Sequence, residues 1–404
     1  MNSNNQNYQR QNSNLSRNKS LTTINNMSKG FINLPKNVPG IKNIGFIPSK
    51  ILHSYYKDLT SYERSEIMNY KSIYFIGNIG VEKFNGRFCS KKGIYRGLTG
   101  DHLKYRYEII RELGRGSFGI VYQCWDHKTS EEVAIKIIKC KAKYRKAGEF
   151  ESFLLDRIQE EDPSDNSNFV KKYKAFEFRN HMCIVFELLH CTLYKFLKEK
   201  DFTGLDIMLV KRITTQLLQG LKQLHGIHYM HCDLKPDNIM LKYQNKSKIK
   251  IIDVGSAVYS FYKDVPRYVQ TRYYRAPEVI LGINYDTKID YWSLGCVVVE
   301  LILGMTLFYA ENEEELLYKI IGLIGEPPIS LLKRARKADL YFIGYRLKYP
   351  ERVVRRSIQE LLVSINPNCV DFVVQCLCWD PVERMNSEKG LNHLWIKERY
   401  SRNV

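Results

Sequence analysis

The sequence predicts an α+β fold in which a small strand-rich part precedes a larger helical part. From Tyr107 onward the pattern is one of short strands around a glycine-rich turn, and helical patterns dominate after about residue 190. A chain of 404 residues with 44% hydrophobic content can bury a sizeable core. We therefore expect either two domains or one bilobed unit with extensions.

The first 50 residues are rich in Asn, Ser and Lys and lack helical or strand periodicity. Such a segment buries too little apolar surface to offset its ordering entropy, so we predict residues 1–50 to be disordered. Residues 1–57 carry eight Lys or Arg and no Asp or Glu, within a net charge of +19. This charge predicts only nonspecific contact with acidic partners or nucleic acid, because no recognition motif accompanies it.

Residues 51–106 are predicted to form an ordered segment before the strands begin. Thr60 followed by Glu63 is a capping-box pattern for a short helix, and the apolar run IYFIG suits packing against a neighbouring sheet. Residues 78–106 have a loop-rich composition. Residues 107–396 then form the main domain, and residues 397–404 a short C-terminal tail.

Cysteine usage and hydropathy predict a soluble protein of the cytoplasm, the nucleus or both. The most apolar run, Cys296 to Met305, has ten residues and contains Glu300, which is too short for a bilayer of roughly 30 Å. The ten cysteines are scattered, without a CxxC pair or matching histidine spacing. We therefore expect reduced, mostly buried thiols rather than zinc ligands or disulfides.

The strand-rich part carries a phosphate-binding pattern. Gly114, Gly116 and Gly119 form a turn between two strands, whereas a dinucleotide-binding fingerprint would be followed by a helix. Lys136 lies seventeen residues after Gly119 on a strand that reads as buried, and a buried lysine needs an anion. Glu151 is the predicted partner of Lys136, with Glu149 as the alternative.

The octapeptide HCDLKPDN places a carboxylate, a cation and a carboxamide within six residues, as Asp233, Lys235 and Asn238. A second carboxylate, Asp253, follows in IIDVG. ATP-dependent phosphoryl transfer needs a carboxylate to orient and deprotonate a hydroxyl, a cation on the moving phosphoryl group, and hard oxygen ligands for magnesium. The pattern predicts Asp233, Lys235 and Lys136 with Glu151 as catalytic residues, and Asn238 and Asp253 as metal ligands.

These motifs resemble those of the eukaryotic protein kinases across residues 107–396. The resemblance implies a bilobed kinase fold, with a β-rich N-lobe and a larger helical C-lobe, and ATP and Mg²⁺ as cofactors. It also implies protein substrates and the following nucleotide-binding residues: Leu113, Gly114, Arg115, Gly116, Ser117, Phe118, Gly119, Val121, Ala134, Lys136, Phe186, Glu187, Leu188, Leu189, Met240 and Ile252.

Within the kinases, the chain resembles the CMGC group and its DYRK family, the dual-specificity tyrosine-phosphorylation-regulated kinases. The motifs that carry this resemblance are HCDLKP, FELLHCTLYKFLK, KIIDVGSA and YVQTRYYRAPEVILG. Upstream, LTSYERSEIMNYKSIYFIG and GDHLKYRYE resemble the accessory segment and DH box of class II members. A Yak-type kinase and a catalytically silent pseudokinase scaffold remain alternatives, although the retained catalytic residues argue against the second.

The resemblance implies one tyrosine autophosphorylation at Tyr268, after which the enzyme phosphorylates Ser and Thr, often before proline. Cys232 replaces the arginine that reads a loop phosphate in many kinases, so Arg272 and Arg275 are the predicted phosphotyrosine-binding residues. The sequence departs from the family in two places. Pro266 replaces the first tyrosine of the usual Tyr-x-Tyr, and Val254 replaces the phenylalanine of the usual Asp-Phe-Gly.

Three further residues are predicted to have structural roles. A buried Glu278 would require a cation, for which Arg384 is the candidate. Asp290 resembles the kinase aspartate that hydrogen-bonds the backbone of the catalytic loop.

Overall fold

The computed structural model of the chain describes residues 44–162, 167–244, 247–262 and 265–398. Most of the predicted disordered tail, residues 1–43, lies outside these ranges, as do residues 399–404. The predicted boundary at Ile51 is wrong by several residues, because Phe46 pairs with Ile73 and a helix begins at Pro48. Phe46 packs against an apolar cluster around Ile73 and Tyr105, which orders the chain earlier than its composition indicates.

The described residues form the following elements in chain order. The helices are α1 (Pro48–Ser54), α2 (Ser61–Glu66), α3 (Ala142–Glu160), α4 (Leu193–Glu199), α5 (Ile207–Gly226), α6 (Pro277–Ile280), α7 (Lys288–Leu303), α8 (Glu313–Ile324), α9 (Ile329–Leu332), α10 (Ala338–Tyr341), α11 (Ile358–Leu361), α12 (Pro367–Cys376), α13 (Ser387–Asn392) and α14 (Leu394–Lys397). The strands are β1 (His102–Leu103), β2 (Tyr107–Arg115), β3 (Gly119–Asp126), β4 (Glu131–Ile138), β5 (Lys172–Phe178), β6 (His181–Glu187), β7 (Cys191–Thr192), β8 (Tyr229–Met230), β9 (Ile239–Leu241), β10 (Ile249–Ile251), β11 (Val258–Tyr259), β12 (Phe342–Ile343) and β13 (Arg346–Leu347).

The chain divides into two compact units, and the first comprises residues up to 146 together with 173–186. Its centre is a six-stranded sheet in the order β1-β2-β3-β4-β6-β5. Strands β2, β3 and β4 are antiparallel neighbours, which confirms the predicted strand, glycine turn, strand and third strand. Apolar residues on one face of these strands, such as Ile109, Ile120 and Ile135, form the core of the unit.

The segment that precedes the kinase-like region packs on this sheet. Helix α2 begins with the predicted capping box, in which the Thr60 side chain and the Glu63 side chain each bond the other's backbone N–H. Phe88 and Tyr95 from the following loops join the apolar core of the sheet. The segment is therefore part of the folded first unit, since it supplies two of its core aromatic side chains.

A buried charge network also joins the segment to the sheet. The Glu63 carboxylate lies 2.8 Å from His102 Nε2 and 3.2 Å from Lys83 Nζ. Arg179, in the turn between β5 and β6, lies 3.6 Å from Glu63 and 2.6 Å from Glu66. Burial by itself would raise the pKa of Glu63, but His102 and Lys83 outweigh it and lower the pKa to about 2.

We expect Glu63→Gln to destabilise the chain at pH 7 by about 3 kcal/mol, because it leaves Lys83 and Arg179 facing a neutral amide. The Glu63 carboxylate has a folded pKa below its ordinary value of 4.5, so its contribution is complete above pH 4.5 and declines toward about pH 2. Urea unfolding should show this. The difference in the free energy of unfolding between wild type and Glu63→Gln should narrow as pH falls below about 4.5.

Glu160→Gln is the control, because Glu160 pairs with Arg157 on the exposed face of α3 and such pairs contribute little. Equal unfolding midpoints for wild type and Glu63→Gln at pH 7 would contradict the assignment.

The second unit, residues 147–172 and 187 onward, is mainly helical. Helix α7 is almost entirely buried and packs against α5 and α12, which confirms the predicted buried helix. Two small antiparallel sheets, β7-β9-β10 and β8-β11, carry the segments that hold the HCDLKPDN and IIDVG motifs. Within the described ranges, every helix is too short or too polar to cross a membrane. The predicted α+β architecture is confirmed.

Candidate active site

The loop between β8 and β9 holds the HCDLKPDN motif, and a buried carboxylate fixes its path. Asp290, on α7, accepts hydrogen bonds from the backbone N–H groups of His231 at 2.7 Å and Cys232 at 3.0 Å. Its Oδ2 also lies 2.8 Å from His225 Nε2. Burial would raise the pKa of Asp290, but His225 and the backbone donors lower it. The predicted structural role of Asp290 is confirmed.

Asp233 is the centre of a polar cluster in this loop. Its Oδ2 accepts from Lys235 Nζ at 2.8 Å and from Asn238 Nδ2 at 3.0 Å. Its Oδ1 accepts from the hydroxyl of Thr271 at 2.6 Å, and Lys235 also reaches that hydroxyl at 2.8 Å. The structure thus brings together the three residues predicted from the octapeptide, and Lys235 and Asn238 position the Asp233 carboxylate.

Thr271 is the site residue that sequence reasoning missed. It lies in the stretch YVQTRYYRAPEVILG, where it received no role, although it is the single Ser or Thr between Asp264 and Asp286. Its neighbour Gln270 holds the segment in place, since the buried amide donates to Ile289 O and Ser293 Oγ. The single Ser or Thr hydroxyl close to a predicted substrate loop was the signal available in the sequence.

The two predicted metal ligands lie at the same end of the β9–β10 hairpin. Ile251 pairs with Ile239, and the Ile252 N–H donates to the carbonyl of Asn238 at 2.8 Å. Asp253 directly follows Ile252, so it lies at the same end of the hairpin as Asn238. The amide nitrogen of Asn238 bonds Asp233, which directs the amide oxygen away from that carboxylate. A carboxylate and an amide oxygen fit a hard divalent cation.

Asp253 adopts a left-handed backbone conformation, with φ of 59°, and its Oδ1 accepts from the Gly255 N–H at 3.3 Å. A Cβ added at Gly255 would lie 3.2 Å from that same oxygen and 3.9 Å from Glu151 Oε2. The glycine therefore keeps this turn open beside two carboxylates. Val254, which replaces the usual phenylalanine, is fully buried.

The glycine turn of the first unit fits a phosphate cradle. A Cβ added at Gly114 or Gly116 would meet no described atom within 4 Å, so their backbone is accessible to a ligand. Gly119 has a different role, because a Cβ there would clash with the carbonyl oxygen of Ile137 on β4. It allows the close approach of β3 and β4.

Lys136 and two residues predicted to contact adenine share one face of the sheet. Lys136 is the cross-strand partner of Val121, and Ala134 lies two residues earlier on β4, hence on the same face. The ammonium group of Lys136 lies 5.8 Å from the ring centroid of Phe118 in the glycine turn. Glu151 is buried on α3 in the second unit, so its pairing with Lys136 stays a prediction.

The other predicted nucleotide-binding residues divide between the units. Phe186 ends the first unit as a buried side chain, and Leu189 is buried in the second. The nucleotide-binding role predicted for Glu187 involves its backbone. Its side-chain carboxylate lies 2.9 Å from Lys242 Nζ and 3.5 Å from Lys250 Nζ. The remaining predicted positions are Leu113, Arg115 and Ser117 in the first unit, and Leu188, Met240 and Ile252 in the second.

Tyr268 is exposed, and the guanidinium of Arg275 lies 3.9 Å from its ring centroid. A hydrogen bond and the positive charge of Arg275 lower the pKa of Tyr268. Arg275 is itself buried and bonds Glu313 at 2.7 Å and the carbonyl of Gln270 at 2.8 Å. Arg272 donates through Nη1 to the carbonyl of Glu311, and its buried Nε has no partner among the described residues.

The predicted ion pair between Glu278 and Arg384 is confirmed. The two side chains form a bidentate pair, with N–O distances of 2.6 and 2.8 Å, and both are fully buried. Arg384 also donates to the carbonyls of Lys288 and Cys378 at 3.1 Å each. This pair joins the segment after Tyr268 to α7 and to the chain before α13.

The first unit holds a glycine turn and a strand lysine, and the second holds the Asp233 cluster; these are the group types that phosphoryl-transfer enzymes use. Residues 107–396 match the family described as "Protein kinase domain", so the chain belongs to the protein kinase family. Protein kinases use ATP with a divalent metal and act on protein substrates.

Similarity to individual relatives narrows this assignment. The chain is 36% identical to human "Dual specificity tyrosine-phosphorylation-regulated kinase 4", with 91% of this chain and 73% of the relative covered. It is 40% identical to "DYRK-family kinase pom1" and 38% identical to "Serine/threonine-protein kinase ppk5", both of Schizosaccharomyces pombe. It covers 32% and 43% of the length of those two relatives, and they cover 83% and 84% of this chain. The chain is a member of the DYRK family.

Proposed function

We propose that this chain is a Mg²⁺- and ATP-dependent kinase that phosphorylates Ser and Thr of protein substrates and autophosphorylates one tyrosine of its own. The observation that carries the proposal is the Asp233 cluster. One carboxylate accepts hydrogen bonds from Lys235, Asn238 and Thr271, each within 3.0 Å. A pseudokinase would have no need to hold this set of groups together.

The proposed roles follow from the contacts. Asp233 orients the substrate hydroxyl and accepts its proton, and Lys235, held 2.8 Å from that carboxylate, places positive charge where the phosphoryl group moves. Thr271 is a positioning residue, because it holds Asp233 Oδ1 and touches Lys235. Asn238 and Asp253 would hold Mg²⁺, which when bound neutralises charge on the phosphate oxygens.

The residues of the first unit have the complementary task. Lys136 would contact the α and β phosphates, and Glu151 of the second unit, its partner predicted from the sequence, would orient it. The open backbone at Gly114 and Gly116 would approach the phosphates, while Val121 and Ala134 would contact the base.

We further propose Tyr268 as the autophosphorylated residue. Because Tyr268 is exposed, its hydroxyl is accessible to a kinase active site. The Arg275 guanidinium already lies against the Tyr268 ring. A phosphate at this position would carry about −1.5 to −2 charges and form charge-assisted hydrogen bonds with arginine. The buried Nε of Arg272, which has no described partner, is a second donor for that phosphate.

The test is phosphosite mapping of the purified full chain incubated with Mg²⁺ and ATP. We expect phosphotyrosine at Tyr268 without any added kinase, and transfer to Ser and Thr peptides but not to Tyr peptides. Each peptide should be supplied with proline or alanine after the target residue, since proline preference is part of the proposal. Tyr268→Phe should fold, lack phosphotyrosine and lose at least about tenfold in turnover, because the loop loses its charge-assisted contacts.

Tyr262→Phe is the matched control, an exposed tyrosine in the same stretch of chain, and it should keep phosphotyrosine and turnover. A deletion of the whole segment before Tyr107 is a poorer test than these point variants. It would remove Phe88 and Tyr95 from the sheet core and unfold the first unit. Phosphotyrosine found only elsewhere would move the site, and absence of any transfer would favour the silent scaffold.

We also propose a location in the cytoplasm, the nucleus or both, on the basis of the cysteines. All ten cysteines are free thiols in the structure, as a reducing compartment maintains them. Imaging of the tagged full chain tests this proposal.

A further inference from the structure

Two cysteines and a histidine from distant parts of the chain meet in the first unit. Cys89 lies in a loop of the segment before β1, Cys140 follows the end of β4, and His181 begins β6. One ligand atom from each residue lies within 4.8 Å of the other two, and the two Sγ atoms are 2.9 Å apart. These are the donor types that bind soft divalent metals.

The hydrogen bonding of His181 leaves its second ring nitrogen, Nε2, available to the same cluster. His181 Nδ1 lies 2.7 Å from the carbonyl oxygen of Ile138, and a carbonyl only accepts, so Nδ1 carries the ring proton. Nε2 of the neutral ring is then unprotonated and carries a lone pair. It is buried, with 1% of the residue exposed, and has no hydrogen-bond partner among the described residues. Metal-binding histidines commonly hold their other ring N–H on a carbonyl in this way.

A disulfide accounts for fewer of these observations. Both a disulfide, with its S–S bond of about 2.05 Å, and a zinc site require the sulfurs to move from their separation of 2.9 Å, but a disulfide would leave His181 Nε2 without a partner. The buried cluster of Glu63, Asp101 and His102 is a weaker candidate for a metal. Lys83 and Arg179 already balance the Glu63 charge.

We propose that Cys89, Cys140 and His181 bind one Zn²⁺ ion through two thiolates and one imidazole nitrogen. Binding releases the two thiol protons to solvent and forms two Zn–S bonds and one Zn–N bond. Both cysteines are only partly buried, so a water molecule can reach the fourth position of a tetrahedral site. The sulfurs must separate beyond 2.9 Å, which rotation of a cysteine side chain provides.

The site would bind the preceding segment to the strand that carries Lys136. Cys140 lies four residues after Lys136, and its backbone N–H donates to Gly93 O at 3.0 Å. The adjacent Lys139 N–H donates to Phe118 O in the glycine turn at 2.9 Å. Zinc would thus stabilise the first unit around the proposed phosphate cradle, without taking part in phosphoryl transfer.

The test uses the full chain purified without chelators, with Zn²⁺ and Co²⁺ as probes. We expect about one zinc per chain by elemental analysis. The Co²⁺-loaded protein should show a thiolate-to-cobalt charge-transfer band and the visible bands of tetrahedral Co²⁺. Cys140→Ser should weaken Zn²⁺ binding at least about 100-fold, since loss of even an outer-shell partner costs 10–100-fold.

Cys378→Ser is the matched control, a partly buried cysteine of the second unit, and it should bind Zn²⁺ as wild type does. Because Cys140→Ser can fail to fold, the cobalt spectrum of the wild-type chain is the deciding measurement. The proposal is overturned if wild type binds neither ion. It is also overturned by a mass two hydrogens lower that maps to a Cys89–Cys140 disulfide, or by unchanged Zn²⁺ affinity in folded Cys140→Ser.

Discussion

Asp233→Asn should lower kcat by about 10² to 10⁴-fold while leaving ATP affinity within about twofold of wild type. The substitution preserves the shape of the side chain and removes the negative charge that accepts the substrate proton. It also replaces one carboxylate oxygen with an NH₂ group. Lys235 and Asn238 both donate to Oδ2, and Thr271 donates to Oδ1, so the amide group must face at least one donor.

The measurement is steady-state turnover on a Ser or Thr peptide, together with nucleotide affinity by titration. Asp237→Asn is the matched control, because Asp237 is an exposed aspartate of the same loop, within the 3₁₀ turn Pro236–Asn238. It should retain turnover close to wild type. A folded Asp233→Asn protein with more than a tenth of wild-type turnover would remove Asp233 from the catalytic role.

Arg384→Met should destabilise the chain by about 3–5 kcal/mol, because it leaves the Glu278 carboxylate buried and without its cation. Both side chains are fully buried, and the bidentate contact of 2.6 and 2.8 Å is lost entirely. The carbonyls of Lys288 and Cys378 also lose a donor. Turnover should fall with stability, since Glu278 is the second residue of α6, just beyond the segment that contains Thr271.

Urea unfolding provides the measurement, and the double variant Glu278→Leu/Arg384→Met separates charge from packing. Removing both charges should restore part of the lost stability, since a buried pair is often replaceable by apolar side chains. Arg334→Met is the control. Arg334 is exposed and lies 3.9 Å from Asp380, so we expect a change of less than about 1 kcal/mol. A loss that small for Arg384→Met would contradict the importance of the pair.

Local patterns in the sequence predicted a large part of this protein. The Thr60–Glu63 capping box, the strands around Gly114 to Gly119 and the buried helix α7 are all present. Each depends on residues close in sequence, where side-chain spacing and backbone preference determine the local structure. The octapeptide from His231 to Asn238 predicted its own cluster for the same reason, since its groups lie within one loop.

The start of the ordered chain was less predictable. The composition of residues 1–50 indicated disorder throughout, yet Phe46 pairs with Ile73 and α1 begins at Pro48. Phe46 is partly buried against a cluster of apolar residues that lie farther along the chain. Composition averages over a window, whereas burial depends on what the fold brings to a single side chain.

The sequence alone determined which chemical groups the protein has and the family to which it belongs, because motif residues and their spacing are properties of the chain. Only the tertiary structure decided the partners that lie far apart in sequence. Thr271 meets Asp233 across 38 residues, and Cys89 meets Cys140 across 51. No periodicity connects such positions, since the path of the intervening chain decides which side chains meet. The scattered cysteines therefore predicted isolated thiols, and folding brought two of them beside a histidine.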